Sequence, residues 1–323
     1  MSGRAGLRLI LRPVDSLRAH VFRKSVDCLE DFAGDALQQV ARARLGVEAD
    51  NDAAEEEGLA PHAYKDTVRA ALWRPVRSSY PERVTFDQAE FQVRCEWGLR
   101  GLRELAPVSD VIVIIDVLSF TTAIDIATAR GGVVFPYPLK GEAAASYADS
   151  LDARLASPDR GSGFSLSPAS LRSLPPGYRL VLPSPNGAAL SFAVDHPIVL
   201  AACLRNAAAV ARAAARLGET VAVIPAGETW GAGELRPSVE DWLGAGAVIA
   251  ACGGSHSPEA SLAAAAFSYF REDLSGALRA SGSGKELIER GFGLDVGLAA
   301  ELNVSTNSPR LVTRAFVSAI LSP

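Results

Sequence analysis

Short apolar runs alternate with longer segments of helical periodicity along the chain from about residue 83 onward. The apolar runs are typical of strands buried in a sheet, and the periodic segments are typical of helices with one buried face. Six strands are predicted: Arg83–Phe86, Val111–Asp116, Val133–Pro136, Arg179–Leu182, Ile198–Ala201 and Val221–Pro225. Six helices are predicted: Phe91–Leu105, Thr121–Ala129, Lys140–Leu151, Ala188–Ala193, Ala207–Leu217 and Val239–Ala251. This alternation predicts an α/β fold, a mostly parallel sheet with helices on both faces.

Two regions of this part of the chain depart from the alternation. Beyond the last strand, helical patterns at Ala260–Leu278 and Ser283–Arg290 predict a C-terminal helical cover on the sheet. The stretch Ser157–Pro176 is rich in Gly, Ser and Pro and predicts a long loop. Such a loop is either a functional segment or a surface excursion without function.

Residues 1–83 are predicted to form an N-terminal extension, separate from an α/β domain over residues 84–323. Helical patterns near Ser25–Leu45 and Pro61–Leu72 flank an acidic run at Ala49–Glu57, and no strong strand pattern occurs. This composition is typical of a partly helical or disordered segment.

The segment VIVIIDVLSFTT, residues 111–122, carries the strongest chemical signal. Asp116 follows a fully apolar strand, at the carboxyl end where open α/β sheets bind their ligands. The hydroxyls of Thr121 and Thr122 and the backbone N–H groups of the next helix suit an anion. A carboxylate beside an anion favours a bridging Mg²⁺ ion. The alternative is that Asp116 only caps the following helix.

Two further strand ends carry polar residues that suit an anion. Ser184 and Asn186 offer hydrogen bonds, and Gly187 lets the backbone approach a ligand closely; the alternative is a capped turn. Arg205 is either a fork of donors for phosphate or sulfonate or a surface arginine. The side chain of Asn206 is favoured as a helix N-cap.

Three acidic residues follow the last predicted strand. Glu228 comes soon after the strand, and Glu240 and Asp241 lie in the first turn of the next helix. Acidic residues in the first turn stabilise a helix by interacting with its dipole. The alternative is that Glu240 or Asp241 is a metal ligand or a general acid/base. Adjacent helical residues point about 100° apart, so only one of the two needs to face a site.

These strand ends are expected to share one edge of a doubly wound sheet. Their convergence predicts a Mg²⁺-assisted site for a small, multiply charged anion. In such a site the metal and the carboxylates polarise a phosphoryl group and activate water.

Composition limits the other classes of function. The formal net charge of −5 argues against nucleic-acid binding. No apolar run approaches the roughly 20 residues that span a bilayer, so no membrane partner is expected. Four cysteines without a CxxC pair and four histidines without HxH or HExxH spacing argue against a disulfide framework or a zinc site. We expect a cytoplasmic protein, and the small-residue helices Ala207–Leu217 and Ala260–Ala266 are compatible with a homodimer.

Together these motifs resemble the 2-phosphosulfolactate phosphatase family over about residues 83–323. Asp116-Val117-Leu118 with Thr121-Thr122 is similar to the family's Asp-Val-Leu-Arg-Ala-Thr-Thr, and Pro185-Asn186-Gly187-Ala188 is similar to its Thr-Asn-Gly-Thr turn. Further matches are Asp159–Ser162, Asn206–Val210, Ala226-Gly227, Ser238–Asp241, Ala245–Ala247 and Asp295-Val296.

The resemblance implies a Mg²⁺-dependent α/β enzyme that hydrolyses 2-phosphosulfolactate to 3-sulfolactate and phosphate, on a route to coenzyme M. It implies catalytic roles for Asp116, Glu240 and Asp241, with Asp116 and Asp241 as metal ligands. The residues then expected to bind the anionic substrate are Thr121, Thr122, Arg160, Ser184, Asn186, Gly187, Arg205, Asn206 and Glu228.

Two departures from the family pattern leave the substrate open. Ser119 stands where the family has an arginine, and Ser184-Pro185 replaces two threonines. The lost arginine fork has to be compensated by a basic residue elsewhere. The expected substrate is therefore 2-phosphosulfolactate or a related small phosphorylated acid. The alternative is a catalytically eroded anion-binding protein of the same fold.

Overall fold

A nine-stranded sheet organises the chain in the computed structural model, which describes residues 86–231 and 233–319. Its spatial order is β1-β7-β2-β6-β10-β11-β3-β5-β4, and β8 pairs with β9 in a separate antiparallel ribbon. The strands are β1 Val93–Cys95, β2 Val111–Ile115, β3 Val133–Tyr137, β4 Arg154–Leu155, β5 Arg179–Pro183, β6 Val199–Ala202, β7 Val221–Pro225, β8 Glu228–Thr229, β9 Leu235–Arg236, β10 Pro309–Val312 and β11 Ala315–Ser318.

Helices cover both faces of this sheet, as the alternating pattern predicts. They are α1 Gly98–Leu105, α2 Phe120–Ala129, α3 Gly141–Asp149, α4 Gly187–Ala193, α5 Ala207–Leu217, α6 Val239–Ala251, α7 Pro258–Phe270, α8 Leu274–Ala280, α9 Gly282–Glu289 and α10 Gly293–Ala299. One apolar core lies under α5, α6 and α7, and a second contains Phe120 of α2 and Phe316 of β11. The prediction of an α/β fold with a mostly parallel sheet and a C-terminal helical cover is confirmed.

The hairpin β10–β11 divides the sheet into two parallel groups. β1, β7, β2 and β6 run parallel to one another, and so do β3, β5 and β4. The three pairings β6–β10, β10–β11 and β11–β3 are all antiparallel. Because three antiparallel steps reverse direction, the two groups run in opposite senses. A shared edge for all strand ends therefore does not follow from strand direction, although the turn after β5 does contact Asp116 after β2.

The predicted first strand and first helix are wrong at their boundaries. Phe86, the described residue of the predicted strand Arg83–Phe86, lies in a bend and is exposed. The first half of the predicted helix Phe91–Leu105 is instead β1, which pairs in parallel with β7. Arg94 lies at the centre of this strand and is 2% exposed. Its buried guanidinium donates to the carbonyls of Gln88 and Ala89.

The C-terminal half also differs in detail from its sequence pattern. The predicted helix Ala260–Leu278 is interrupted by a 3₁₀ turn at Arg271–Asp273, where the Asp273 carboxylate accepts from the Gly276 N–H and starts α8. The hairpin β10–β11 was not predicted. Its turn residues Thr313 and Arg314 have φ of 44° and 69° without the Asn-Gly sequence that usually marks such turns.

The loop Ser157–Pro176 is anchored to the C-terminal helices. It contains a 3₁₀ helix, Pro168–Ser173, whose Leu171 is fully buried. The Ser167 hydroxyl and the Ala169 N–H both donate to Asp295 of α10, at 2.7 and 3.0 Å. This loop therefore has a defined structure and packs as part of the fold.

The predicted extension over residues 1–83, with its two helices and its boundary at residue 84, lies outside the described residues. None of the helices in the described part of the chain has the length and apolar character needed to cross a membrane.

The contact between α6 and α7 gives a direct test of the packing. A Cβ atom added at Gly246 would lie 2.1 Å from the Ala263 carbonyl oxygen, so the two helices would have to separate. We expect Gly246→Ala to lower the free energy of unfolding by about 1–3 kcal/mol, although alanine favours a helix. Urea denaturation measures this change.

Gly253→Ala is the matched control, because a Cβ there meets nothing within 4 Å. Its expected effect is within about 0.5 kcal/mol. Equal stability of the two variants would contradict the packing described for α6 and α7.

Candidate active site

Three acidic segments meet at the carboxyl edge of the first parallel group. β2 ends next to Asp116, and its neighbour β7 leads into Glu228. The first turn of α6 brings Glu240 and Asp241 to the same edge. We call Asp116, Glu228, Glu240 and Asp241 the acidic cluster.

Asp116 is buried and held by backbone donors. Its Oδ2 accepts from the Gly187 N–H at 2.7 Å and from the Ser184 hydroxyl at 3.3 Å. Its Oδ1 accepts from the Phe120 N–H at 3.3 Å, at the start of α2. Burial raises the pKa of Asp116, the N–H donors partly offset this, and the nearby Glu240 raises it further.

Gly187 has to be glycine for this contact to form. A Cβ atom at this position would lie 2.5 Å from the Phe120 ring and 2.7 Å from Asp116 Oδ2. The turn after β5 reaches Asp116 although β5 and β2 belong to oppositely directed groups.

Asp241 bridges the ends of β2 and β7. Its Oδ1 accepts from the Val117 N–H at 2.7 Å, and its Oδ2 accepts from the Gly227 N–H at 2.9 Å. Burial, followed by the charges of Asp116 and Glu240, raises the pKa of Asp241 well above its usual value. The structure therefore encloses several carboxyl groups that repel one another when ionised.

Glu240 is the least satisfied member of the acidic cluster. Its side chain is 2% exposed, and no described residue donates a hydrogen bond to its carboxylate. The hydroxyl of Ser238, at the N-cap of α6, is also buried without a hydrogen-bond partner among the described residues. A buried hydroxyl without a partner, two residues before a buried carboxyl group, is a place where a ligand or water can complete the hydrogen bonding.

Glu228 carries a pKa that suits proton transfer. Its Oε2 accepts from the Asn186 side-chain amide at 3.0 Å. Burial, followed by the charge of Asp116, raises the pKa of Glu228 to about 7. A carboxyl group with this pKa gives up or takes a proton near neutral pH.

Arg160 brings a positive charge from the long loop to the acidic cluster. Its Nη1 donates to the Ser119 hydroxyl at 3.1 Å and to Asp295 Oδ2 at 3.4 Å. Burial lowers the pKa of Arg160, while the charges of Asp295 and Asp116 raise it. The guanidinium therefore lies against Ser119, the position at which the family pattern has its own arginine.

The two threonines of the first motif shape the turn. The Thr121 hydroxyl donates to the Asp116 carbonyl at 2.7 Å, and the Thr122 hydroxyl donates to the Val117 carbonyl at 2.8 Å. Both side chains are fully buried. Both threonine hydroxyls therefore donate to backbone carbonyls, and these hydrogen bonds position Asp116.

Arg205 and Asn206 are not brought to the acidic cluster by any described contact. Arg205 pairs with Asp125 at 3.1 Å and with Glu301. Asn206 Oδ1 accepts from the Cys203 N–H at 2.8 Å, which closes the 3₁₀ turn before α5. Asn206 stands at the N-cap position of α5, as predicted, but its side chain bonds back to Cys203 and makes no cap hydrogen bond to α5.

Sequence reasoning missed three residues that complete the site. The sequence showed Ser119 only as the replacement of a family arginine, yet its hydroxyl accepts a hydrogen bond from Arg160. Asp295 lies on α10, far from any strand end, and only its place in a family motif could have singled it out. Ser238 was noted as a helix start, and its unpaired hydroxyl could not be foreseen from the sequence.

The carboxylate oxygens of the acidic cluster are of the ligand type that Mg²⁺ prefers. No group of three His, Cys, Asp or Glu among the described residues is arranged to hold a metal ion by itself. Mg²⁺ commonly takes one or two carboxylates and completes its shell with water and substrate phosphate. Each oxygen of Asp241 accepts one N–H, which leaves lone pairs for a cation, and the Glu240 carboxylate receives no donor from a described residue.

The comparison with known proteins agrees with this site. Residues 101–313 match the model of the 2-phosphosulpholactate phosphatase family. The chain belongs to this family. A probable 2-phosphosulfolactate phosphatase of Gloeobacter violaceus is 32% identical over 222 residues, which are 64% of this chain and 91% of the relative. Membership in the 2-phosphosulpholactate phosphatase family makes the chain a phosphoric monoester hydrolase, and the acidic cluster, Arg160 and Asp295 all lie within the matched segment.

The raised pKa of Glu228 predicts a pH dependence of stability. Between about pH 4.5 and pH 7 the folded chain holds a proton that the unfolded chain has released. The free energy of unfolding therefore falls as pH rises through this window. Glu228→Gln keeps an oxygen for Asn186 but cannot titrate, so we expect a smaller fall. Chemical denaturation at about pH 5 and about pH 7.5 without divalent cations measures the difference.

Glu289→Gln on the exposed surface of α9 serves as the control and should keep the wild-type fall. An identical fall in the wild type and in Glu228→Gln would show that Glu228 does not titrate in this range.

Proposed function

We propose that this protein hydrolyses 2-phosphosulfolactate, or a related small phosphorylated acid, to 3-sulfolactate or the corresponding alcohol and phosphate, and that it requires Mg²⁺. The observation that carries the proposal is the acidic cluster with Arg160 beside it. Buried acids and an ionised guanidinium at one strand edge suit a substrate that binds partly through a cation and partly through an arginine.

The charges of the proposed substrate suit binding partly through a cation and partly through an arginine. 2-Phosphosulfolactate carries a phosphate, a sulfonate and a carboxylate, and a site of carboxylates alone would repel it. Arg160 offers a planar fork of donors to a phosphate or sulfonate group. When bound through Asp116 and Asp241, Mg²⁺ would offset the carboxylate charge and polarise the phosphoryl group.

Hydrolysis breaks the bond between phosphorus and the ester oxygen, while a water oxygen joins the phosphorus. One group must give a proton to the leaving oxygen, and one must take a proton from the water. Glu228, with its pKa of about 7, is suited to either task. The N–H donors from Gly187 and Phe120 hold the Asp116 carboxylate in one orientation throughout.

An anion-binding protein without turnover is the competing hypothesis, since Ser119 replaces a family arginine. Two observations oppose it. Arg160 occupies the space next to the Ser119 hydroxyl, so a guanidinium is still present there. The acidic cluster also keeps carboxyl groups buried at a cost in stability, which simple anion binding does not require.

Phosphate release from 2-phosphosulfolactate tests the reaction. We expect release with Mg²⁺ and loss of release with EDTA. Asp116→Asn should lower kcat at least about 100-fold while the protein stays folded by circular dichroism. Asp149→Asn on the exposed surface of α3 is the control and should keep wild-type turnover.

A panel of other small phosphorylated acids separates the remaining outcomes. Turnover of another acid but not of 2-phosphosulfolactate would correct the substrate. Absence of turnover with every acid, in folded protein that still binds Mg²⁺, would favour the binding protein.

Asp295→Asn tests whether Arg160 binds substrate. The Asn oxygen can still accept from Ser167 and Ala169, but its amide group replaces the acceptor of Arg160. A lost charge-assisted hydrogen bond of about 1.5–3 kcal/mol predicts a KM increase of about tenfold or more. We expect a smaller change in kcat, because Asp295 positions Arg160 and does not touch the reacting atoms.

Ser119→Ala removes only the neutral acceptor of Arg160 and should raise KM less. Steady-state kinetics of both variants provides the comparison. A fall in kcat with unchanged KM would argue against substrate binding by Arg160.

A further inference from the structure

A second cavity, separate from the acidic cluster, is lined by arginines. It has a volume of about 730 Å³ and lies among α2, α5, α10 and residues 304–308. No member of the acidic cluster lines it. The arginines in its lining come from four elements: Arg130, Arg172, Arg205, Arg212 and Arg216.

Most of this positive charge is not paired with an acid among the described residues, although Arg130 donates to the Leu174 carbonyl at 2.8 Å. Asp125 is the acidic residue of the described lining, and it is paired with Arg205 at 3.1 Å. Arg130, Arg172, Arg212 and Arg216 form no ion pair with any acid in the described part of the chain. A chain of net charge −5 has thus concentrated unpaired cations around one cavity.

Hydrogen bonds fix one wall of the cavity. The Ser305 hydroxyl donates to Asp125 Oδ1 at 2.6 Å, and the Asn307 amide donates to the Asp125 carbonyl at 3.1 Å and to the Thr128 hydroxyl at 2.7 Å. Residues 305–307 are therefore tied to α2. A wall held in this way is formed before any ligand arrives, which lowers the ordering cost of binding.

We propose that this cavity binds a small polyanion that carries at least two phosphate or sulfonate groups. Its volume lies in the range of sites for small organic ligands and exceeds the needs of a single phosphate. Guanidinium groups offer planar pairs of donors that match phosphate and sulfonate oxygens. Arginines that surround the space from separate elements can engage several anionic groups of one ligand at once.

Calorimetric titration of the full-length protein with tripolyphosphate, at low ionic strength and without divalent cations, tests this site. Arg212 and Arg216 lie one helical turn apart on α5, and neither makes a described side-chain hydrogen bond. We expect Arg212→Gln/Arg216→Gln to weaken tripolyphosphate binding about tenfold or more. Added salt should also weaken it.

Three controls make the test specific. Arg154→Gln/Arg271→Gln removes the same charge from exposed positions outside the cavity and should bind tripolyphosphate as the wild type does. Asp116→Asn should also bind it normally, because the acidic cluster is a separate site. Orthophosphate should bind at least about tenfold more weakly than tripolyphosphate.

Several results would overturn the proposal. They are absence of tripolyphosphate binding, equal weakening in the two double variants, a loss of binding in Asp116→Asn, and equal affinity for orthophosphate. Activity of the acidic cluster is not needed for any of these measurements, so failure of the proposed reaction would leave the result readable.

Discussion

The carboxylate of Asp241 is the interaction on which the site depends. It accepts one N–H from the end of β2 and one from the end of β7, and it belongs to the first turn of α6. Every other member of the acidic cluster is next in sequence to one of the three residues that form these hydrogen bonds. Asp116 precedes Val117, Glu228 follows Gly227, and Glu240 precedes Asp241 itself. One side chain therefore joins the ends of β2 and β7 to α6, and each of the other three acids is next in sequence to a residue of this arrangement.

The hydrogen bonds of Asp241 also hold several carboxyl groups close together in a buried site. Burial and mutual repulsion raise the pKa values of Asp116, Glu228 and Asp241, so the folded chain holds protons that water would remove. Backbone N–H groups and the guanidinium of Arg160 offset part of this repulsion. The remainder disfavours the fully ionised site until a cation or a proton arrives. The proposed binding of a cation and the proposed proton transfer would thus have one physical origin.

The fold class and most of the acidic cluster could be predicted from the sequence because each is a local signal. Apolar runs mark β2, β6 and β7, and polar residues follow them directly. The hairpin β10–β11 could not be predicted, because its turn lacks Asn and Gly and its place in the sheet is set by distant partners. The hydrogen bond from Arg160 to Asp295 joins residues 135 positions apart, and no pattern along the chain encodes it. Arg205 lies after the end of a strand, where ligand-binding residues are expected, but its guanidinium is paired with the carboxylate of Asp125.

The placement of the hairpin has a consequence for the sheet while the chain is being synthesised. β10 and β11 follow all other strands of the sheet in the chain, yet they lie between its two parallel groups. A nascent chain that has not yet released them presents β6 and β3 as open edges, which are surfaces prone to pair with other chains. The contact between Gly187 and Asp116 also spans both groups, so the site depends on their being held together. The two groups that supply the candidate site are therefore joined in the sheet by a hairpin that follows both of them in the chain.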